Sequence, residues 1–185
     1  CAVCTGNIVL NDTNHATLLG TIDDKSYILF ASQVLNQSNT IQYVYIDSEG
    51  GHVSDGFRIM NILSSLTNVT CIAVNAYSMA FIILQACPTR YILPTSVLMQ
   101  HQMSAYVSGD ISRMTESMGL LHAQNEYVQT LQADRLHVTK EWFDNRTRDE
   151  WWIFGKEILK ANCADKIVPY VSCDKSLSFE NCPII

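Results

Sequence analysis

The sequence has 185 residues, 48% of them hydrophobic and 16% charged, with a formal net charge of −6 at pH 7. This length predicts one domain with its own core, and the hydrophobic content excludes a disordered chain. The acidic excess argues against a nucleic-acid partner, which needs a basic surface. The longest apolar stretch, residues 71–87, is interrupted by polar side chains and is shorter than the ~20 residues of a membrane span. The sequence therefore predicts no membrane-spanning helix.

The first half of the chain alternates strand and helix patterns. In order, these are a strand at 17–22, a helix at 23–35, a strand at 41–46, a glycine-containing turn at 47–51, a helix at 57–66 and a strand at 69–74. This order predicts parallel strands joined by helical crossovers, which is an α/β fold.

The second half is dominated by one long helix. Two short strands are predicted at 91–93 and 97–99 around Pro94, and a helix follows at 111–135. A stripe of apolar residues on this helix is typical of a core or a subunit interface; it comprises Met114, Met118, Leu121, Val128 and Leu131. A final helix at 156–161 is predicted to end at Asn162, since asparagine tolerates the left-handed conformation.

The chain has seven cysteines, and four of them lie near its ends. Cys1, Cys4, Cys173 and Cys182 suit disulfide bonds, or a zinc site built on Cys1-x-x-Cys4. A single C-x-x-C without a second pair is a weak zinc signal, so we predict no metal and no cofactor. The other three are expected to be small buried hydrophobic residues: Cys71, Cys87 and Cys163.

Three polar residues have the types that acyl transfer to water requires, namely a nucleophile, a base and an orienting acid. Ser78 follows an apolar strand and opens an apolar helix, where unpaired backbone N–H groups face developing negative charge. His101 follows a short strand, and Asp149 follows a helical segment. Taken singly, each residue type is more often structural, and no G-x-S-x-G motif marks the serine. Spacing alone does not establish a protease.

Six short segments, in one order, resemble the ClpP family of serine peptidases. They are 19–24 (LGTIDD), 45–51 (YIDSEGG), 76–80 (AYSMA), 99–102 (MQHQ), 147–149 (TRD) and 155–165 (GKEILKANCAD). The resemblance implies the ClpP/crotonase fold, a spiral of βαβ units with a protruding helical handle. It implies an N-terminal extension at 1–16, a peptidase domain at 17–168 with the handle at about 103–136, and a C-terminal tail at 169–185.

The resemblance also implies roles for individual residues. Ser78 would be the nucleophile, His101 the base and Asp149 the acid that orients the imidazole. Gly51 and Met79 would donate backbone N–H groups to the oxyanion of the tetrahedral intermediate. The implied function is a serine endopeptidase that hydrolyses peptides or unfolded proteins inside an oligomeric chamber.

Four positions depart from the family pattern. Glu49 and Met103 stand where the family has proline, Tyr77 precedes the nucleophile in place of a small residue, and Asn162 replaces a glycine. None of these changes removes a member of the implied triad, which favours an active enzyme over an inactive relative.

Partners and compartment are likewise expectations from the resemblance. It implies a homo-oligomer of stacked rings, and because the chain has no Walker motif, any ATP dependence would come from a separate unfoldase. The cytoplasm is the expected compartment. The terminal cysteines and four N-x-S/T sequons leave an extracytoplasmic or organellar setting open; the sequons lie at Asn11, Asn36, Asn68 and Asn145.

Three alternative functions remain open at this point. One is a crotonase-type hydratase or isomerase, which would need no serine nucleophile. Another is a catalytically silent subunit of a mixed ring. The third is a phage capsid-maturation or signal-peptide-degrading protease of related fold.

Overall fold

Strands and helices alternate along the chain in the computed structural model, which describes residues 6–37, 40–175, 177–178 and 181–184. The elements are β1 (Ile8–Leu10), β2 (His15–Ile22), α1 (Asp24–Gln37), β3 (Tyr43–Gly51), α2 (Val53–Ser65), β4 (Thr70–Tyr77), α3 (Met79–Ala86), β5 (Thr89–Gln100), α4 (Ile111–Leu136), α5 (Lys140–Arg146), β6 (Trp151–Phe154), α6 (Lys156–Lys160), β7 (Lys166–Ile167) and β8 (Val171–Cys173).

A central sheet organises the described part of the chain. Its order is β2-β3-β4-β5-β6, with β7 paired to β5. Strands β2 to β5 are parallel, whereas β6 runs antiparallel to β5. Helices α1, α2 and α3 each connect two neighbouring parallel strands, so the predicted α/β fold of βαβ units is confirmed. Strands β1 and β8 form a separate parallel pair.

Helix α3 is the most deeply buried helix of the described residues. Every residue from Met79 to Gln85 is buried, because the helix is apolar on all sides and packs among β3, β4 and β5. A central position of this kind fixes the first residue of the helix, and with it the turn that precedes it.

Two predicted boundaries are wrong. The predicted turn at 47–51 is the end of β3, because β2 continues beside it with Ile22 opposite Gly51. The two predicted strands around Pro94 are one strand, β5, with an irregular register against β4. The Ser96 hydroxyl bridges this irregularity, since it accepts from the Leu93 N–H (2.8 Å) and donates to the Ala73 carbonyl (2.6 Å).

Helix α4 has two halves with different surroundings. No residue from 111 to 127 is buried, whereas Val128, Ala133 and Leu136 are part of the core. The apolar stripe therefore contributes to the core only at its C-terminal end. Residues 101–108, which precede the helix, form neither strand nor helix.

The cysteines differ in part from the expectation. Cys71 and Cys87 are buried as expected, but they form a disulfide bond, which joins the start of β4 to the end of α3. Cys173 and Cys182 form a second disulfide. Cys163 is a buried free thiol. Cys1 and Cys4, on which the zinc alternative depended, lie outside the described residues.

Within the described ranges, no helix is both long enough and apolar enough to cross a membrane. Asn162 has φ 55°, so the predicted left-handed residue after the last helix is confirmed.

Candidate active site

Ser78 lies at a sharp turn between β4 and α3. Its backbone has φ 53° and ψ −117°, a conformation that residues other than glycine rarely adopt. The turn is held in place because the Ser78 N–H donates to the Met99 carbonyl on β5 (2.8 Å). Strained backbone of this kind costs about 1–3 kcal/mol and clusters at functional sites. The turn places a half-buried hydroxyl at the start of α3.

His101 provides a base for this hydroxyl. Ser78 Oγ lies 2.8 Å from His101 Nε2. When the imidazole is neutral with its proton on Nδ1, the serine donates to Nε2, and the imidazole can remove the hydroxyl proton. The structure therefore brings together the predicted nucleophile and the predicted base.

The predicted oxyanion donors, Gly51 and Met79, border the same cleft as Ser78. Met79 is the first residue of α3, so its N–H has no partner within the helix and carries the positive end of the helix dipole. Gly51 ends β3 on the other side of the Ser78 turn.

Two consecutive glycines allow the end of β3 to pass close to its neighbours, Gly50 to the Ser78 turn and Gly51 to Ile22 of β2. A Cβ on Gly50 would lie 2.5 Å from the Tyr77 carbonyl oxygen and 2.9 Å from the Met79 nitrogen, and a Cβ on Gly51 would overlap the Ile22 carbonyl. Both residues have positive φ, 90° and 151°. Neither position therefore accepts a side chain.

Asp149 lies in the bend after α5 and is exposed. Among the described residues, no hydrogen bond or ion pair joins its carboxylate to His101. The sheet register nevertheless places the two segments side by side, because Gln100 lies opposite Trp151 in the antiparallel β5–β6 pair. His101 follows Gln100 and Asp149 precedes Trp151 by two residues, so both residues lie just beyond the last pair of these two strands.

A small cleft of about 60 Å³ opens beside Ser78 and His101. Its walls include apolar side chains from α2, α3 and α4, namely Val53, Ile82 and Val128. Sequence reasoning assigned no role to five further polar lining residues, which are Gln100, Ser104, Asn125, Gln129 and Gln132. The spacing of Asn125, Gln129 and Gln132 on α4 could have indicated them, because residues at i, i+4 and i+7 lie on one face of a helix.

Hydrolysis of an acyl bond is the chemistry that a serine, an imidazole and a helix N-terminus at one cleft can perform. Burial raises the pKa of the Cys163 thiol to about 12, so this cysteine is not a competing thiolate nucleophile. In the part of the chain that the structure describes, no group of three or more His, Cys, Asp or Glu residues could hold a metal ion.

The family model for Clp protease matches residues 7–170 of the chain. The chain belongs to the Clp protease family.

Curated relatives of this Clp protease family member are proteolytic subunits of bacterial Clp proteases. The ATP-dependent Clp protease proteolytic subunit 2 of Pseudomonas aeruginosa is 24% identical over 68% of the chain and 65% of its own length. Subunit 2 of Cutibacterium acnes is 27% identical over 68% of the chain and 61% of its own length. Subunit 1 of Streptomyces avermitilis is 26% identical over 82% of the chain and 74% of its own length. The chain thus spans somewhat less than two thirds of the first two relatives.

The departures from the Clp protease pattern have local structural partners. The Glu49 carboxylate accepts a hydrogen bond from the Thr21 hydroxyl (2.9 Å), which ties β3 to β2. The Tyr77 ring packs edge-on against Trp152, and its hydroxyl donates to Asn75 (3.0 Å). Burial, with a smaller contribution from the charge of Asp47, raises the pKa of Tyr77, so this phenol stays protonated and a donor.

Proposed function

We propose that this chain is a serine endopeptidase of the ClpP type, which hydrolyses peptides or unfolded proteins. The observation that carries the proposal is the 2.8 Å contact between Ser78 Oγ and His101 Nε2 at the N-terminus of a buried helix. A crotonase-type hydratase would have no use for this pair.

In the proposed reaction, His101 takes the Ser78 proton as the serine oxygen attacks the scissile carbonyl. The N–H groups of Met79 and Gly51 stabilise the oxyanion, and a donor of this kind is worth about 3–4 kcal/mol in other serine peptidases. His101 then passes the proton to the leaving amine, and water hydrolyses the acyl-enzyme by the reverse sequence. Asp149 is the proposed partner of His101 Nδ1.

We further propose that the protein acts as a homo-oligomeric chamber of stacked rings. The uncovered N-terminal half of α4 supports an interface there. The names of the relatives, ATP-dependent proteolytic subunits, support a separate ATP-dependent unfoldase as partner.

A cytoplasmic location stays a prediction. The two disulfide bonds favour an oxidising compartment instead, since disulfides are rare in reducing cytosol.

A catalytically silent ring subunit is the second candidate, and the observation in its favour is the absence of a bond between Asp149 and His101 in the described residues. A silent subunit would keep the fold and the ring contacts without hydrolysing peptides.

Labelling with a fluorophosphonate, followed by mass mapping of the modified peptide, tests the proposal. We expect modification at Ser78 in the wild-type chain, none in Ser78→Ala, and full modification in Ser65→Ala, which removes an exposed hydroxyl from the end of α2. Unlabelled wild type and Ser65→Ala should hydrolyse fluorogenic peptides, and Ser78→Ala should not. A wild-type chain that neither reacts nor hydrolyses peptides, while folded, would support the silent subunit.

A further inference from the structure

The cleft beside Ser78 has an unusually polar inner surface. Asn125, Gln129 and Gln132 on α4 contribute to it, and Gln100 contributes from the end of β5. Three of these side chains are buried: Gln100 is 2% exposed, Gln129 3% and Gln132 0%. Buried amides are normally fully hydrogen-bonded, so their partners show which of them is free to bind a substrate.

Two of the buried amides, Gln100 and Gln132, have hydrogen-bond partners for both their donor and acceptor atoms. The Gln100 side-chain N–H donates to the Gln132 side-chain oxygen, and the Gln132 amide N–H donates to the Val128 carbonyl (2.8 Å). The Gln100 oxygen in turn accepts from the His101 backbone N–H (3.2 Å). This chain of bonds connects α4 to the base and fixes that side of the cleft.

Gln129 is different, because its side-chain oxygen is buried and has no hydrogen-bond donor among the described residues. It lies one helical turn from Gln132 and borders the cleft that contains Ser78. A buried acceptor without a donor is costly. Because no hydrogen bond among the described residues holds the Gln129 amide, it can turn its oxygen toward a ligand that brings a donor into the cleft.

The rest of the cleft favours a neutral side chain with an apolar stem. Val53, Ile82 and Val128 can pack against methylene groups, and the lining includes no Asp, Glu, Lys or Arg. A charged side chain would lose its hydration without gaining a counter-ion there.

We propose that this cleft binds the side chain of the residue that contributes the scissile carbonyl, and that it selects a primary amide, glutamine or asparagine, which donates to Gln129. The inference rests on the proposed function, because it takes Ser78 as the nucleophile. The cleft borders Ser78, Met79 and Gly51, so it adjoins the place where that carbonyl would lie.

The test uses the full chain and four fluorogenic peptides that differ only at this substrate residue, with Gln, Met, Glu or Lys. Methionine has nearly the shape of glutamine without the amide, and glutamate has the shape with a charge. We expect kcat/KM for the glutamine peptide to exceed that for each of the others by about tenfold or more, because an analogue without the donor leaves Gln129 unpaired.

Gln129→Met removes the acceptor at nearly constant volume. The ratio of kcat/KM for the glutamine peptide over the methionine peptide should fall by about tenfold or more. The matched control is Gln124→Met, on the same helix and outside the cleft lining, which should keep the wild-type ratio.

Fluorophosphonate labelling of Ser78 separates the two possible failures. If Ser78 is labelled and peptides are hydrolysed, but methionine equals or exceeds glutamine, the amide preference is overturned and the peptidase stands. The same holds if Gln129→Met is labelled and keeps the wild-type ratio. If the folded wild-type chain is neither labelled nor active, both proposals fall.

Discussion

At the scale of single residues, the site exists because parallel strands end at one edge of a sheet. Ser78 follows β4 and His101 follows β5, the neighbouring strand, so two residues 23 positions apart along the chain come into contact. The strained turn at Ser78 lifts the hydroxyl out of the strand, and the absent side chain of Gly50 leaves room for it.

Asp149→Asn tests whether the carboxylate orients His101. We expect kcat/KM to fall by about 10³–10⁴-fold, because an amide in this position would stabilise the wrong imidazole tautomer and could not balance the imidazolium charge. The measurement is steady-state peptide hydrolysis, with folding checked by circular dichroism.

Glu150→Gln provides the control for this substitution. It makes the same chemical change one residue away, at a carboxylate that accepts from the Trp152 indole N–H (2.8 Å) and keeps an acceptor oxygen after the change. Its activity should stay within about threefold of the wild type. If Asp149→Asn behaves like this control, another group orients the imidazole.

The contact between Ser78 and His101 was predictable from the sequence only through the order of short motifs, since no local signature marks Ser78. Gln129 was not predictable, because its significance depends on an unpaired oxygen beside a cleft, and both features require coordinates. The role of Asp149 stays a prediction, because sequence cannot report the direction of an exposed side chain.

At the scale of elements, β5 connects the site to the closing segment of the chain. Arg90, near the start of β5, is buried and forms an ion pair with Asp165 (2.6 Å), while His101 follows the other end of the strand. Asp165 also accepts from the Arg90 backbone N–H (2.7 Å). Burial alone would raise the pKa of the Asp165 carboxyl, but the hydrogen bonds and charge of Arg90 outweigh this and hold the pKa below its ordinary value.

Asp165→Asn should lower the free energy of unfolding at pH 7 by about 2–3 kcal/mol. A buried guanidinium without its partner is costly, although the partial exposure of the carboxylate reduces the loss. Because the folded-state pKa is depressed, the contribution of Asp165 is complete above its unfolded pKa of about 3.9 and is lost as the pH falls through the lower folded value. Denaturant unfolding at pH 7 and pH 3 should therefore show a smaller difference between wild type and variant at pH 3.

Glu116→Gln is the control for this experiment, since Glu116 is exposed on α4. It should shift the unfolding free energy by less than about 0.5 kcal/mol at either pH. A difference for Asp165→Asn that is equally large at both pH values would show that packing, rather than charge, is responsible.

Elements whose apolar residues recur with a clear period were predictable from the sequence. Short strands that form only by pairing with a distant strand were not. The helices α2 and α4 follow from the spacing of apolar residues. Strand β6 has four residues, too few for a period, and it forms because it pairs with β5. β1 and β8 pair across almost the whole chain, with Ile8 opposite Val171, so no local pattern predicts them.

At the scale of the whole molecule, the first half of α4 contributes no buried residue to the described part of the chain. Ile111 is 79% exposed, Met118 56% and Leu120 62%. Exposed apolar residues in such a group indicate an interaction site. The C-terminal half of the same helix lines the cleft beside Ser78, so one helix carries both this exposed apolar surface and part of the candidate site.

We expect the wild-type protein to have a solution mass several times that of one chain, measured by multi-angle light scattering at micromolar concentration. Met118→Asp should reduce this mass by about half or more, because a buried charge without a partner would separate rings that meet through α4. Ser112→Asp adds the same charge to the face of α4 opposite the apolar stripe, where Ser112 is exposed, and should keep the wild-type mass. A monomeric wild-type protein would contradict the proposed oligomeric chamber. The proposed role of Ser78 would then be tested by fluorophosphonate labelling alone. An assembly that survives Met118→Asp unchanged would instead place the ring contacts elsewhere on the surface.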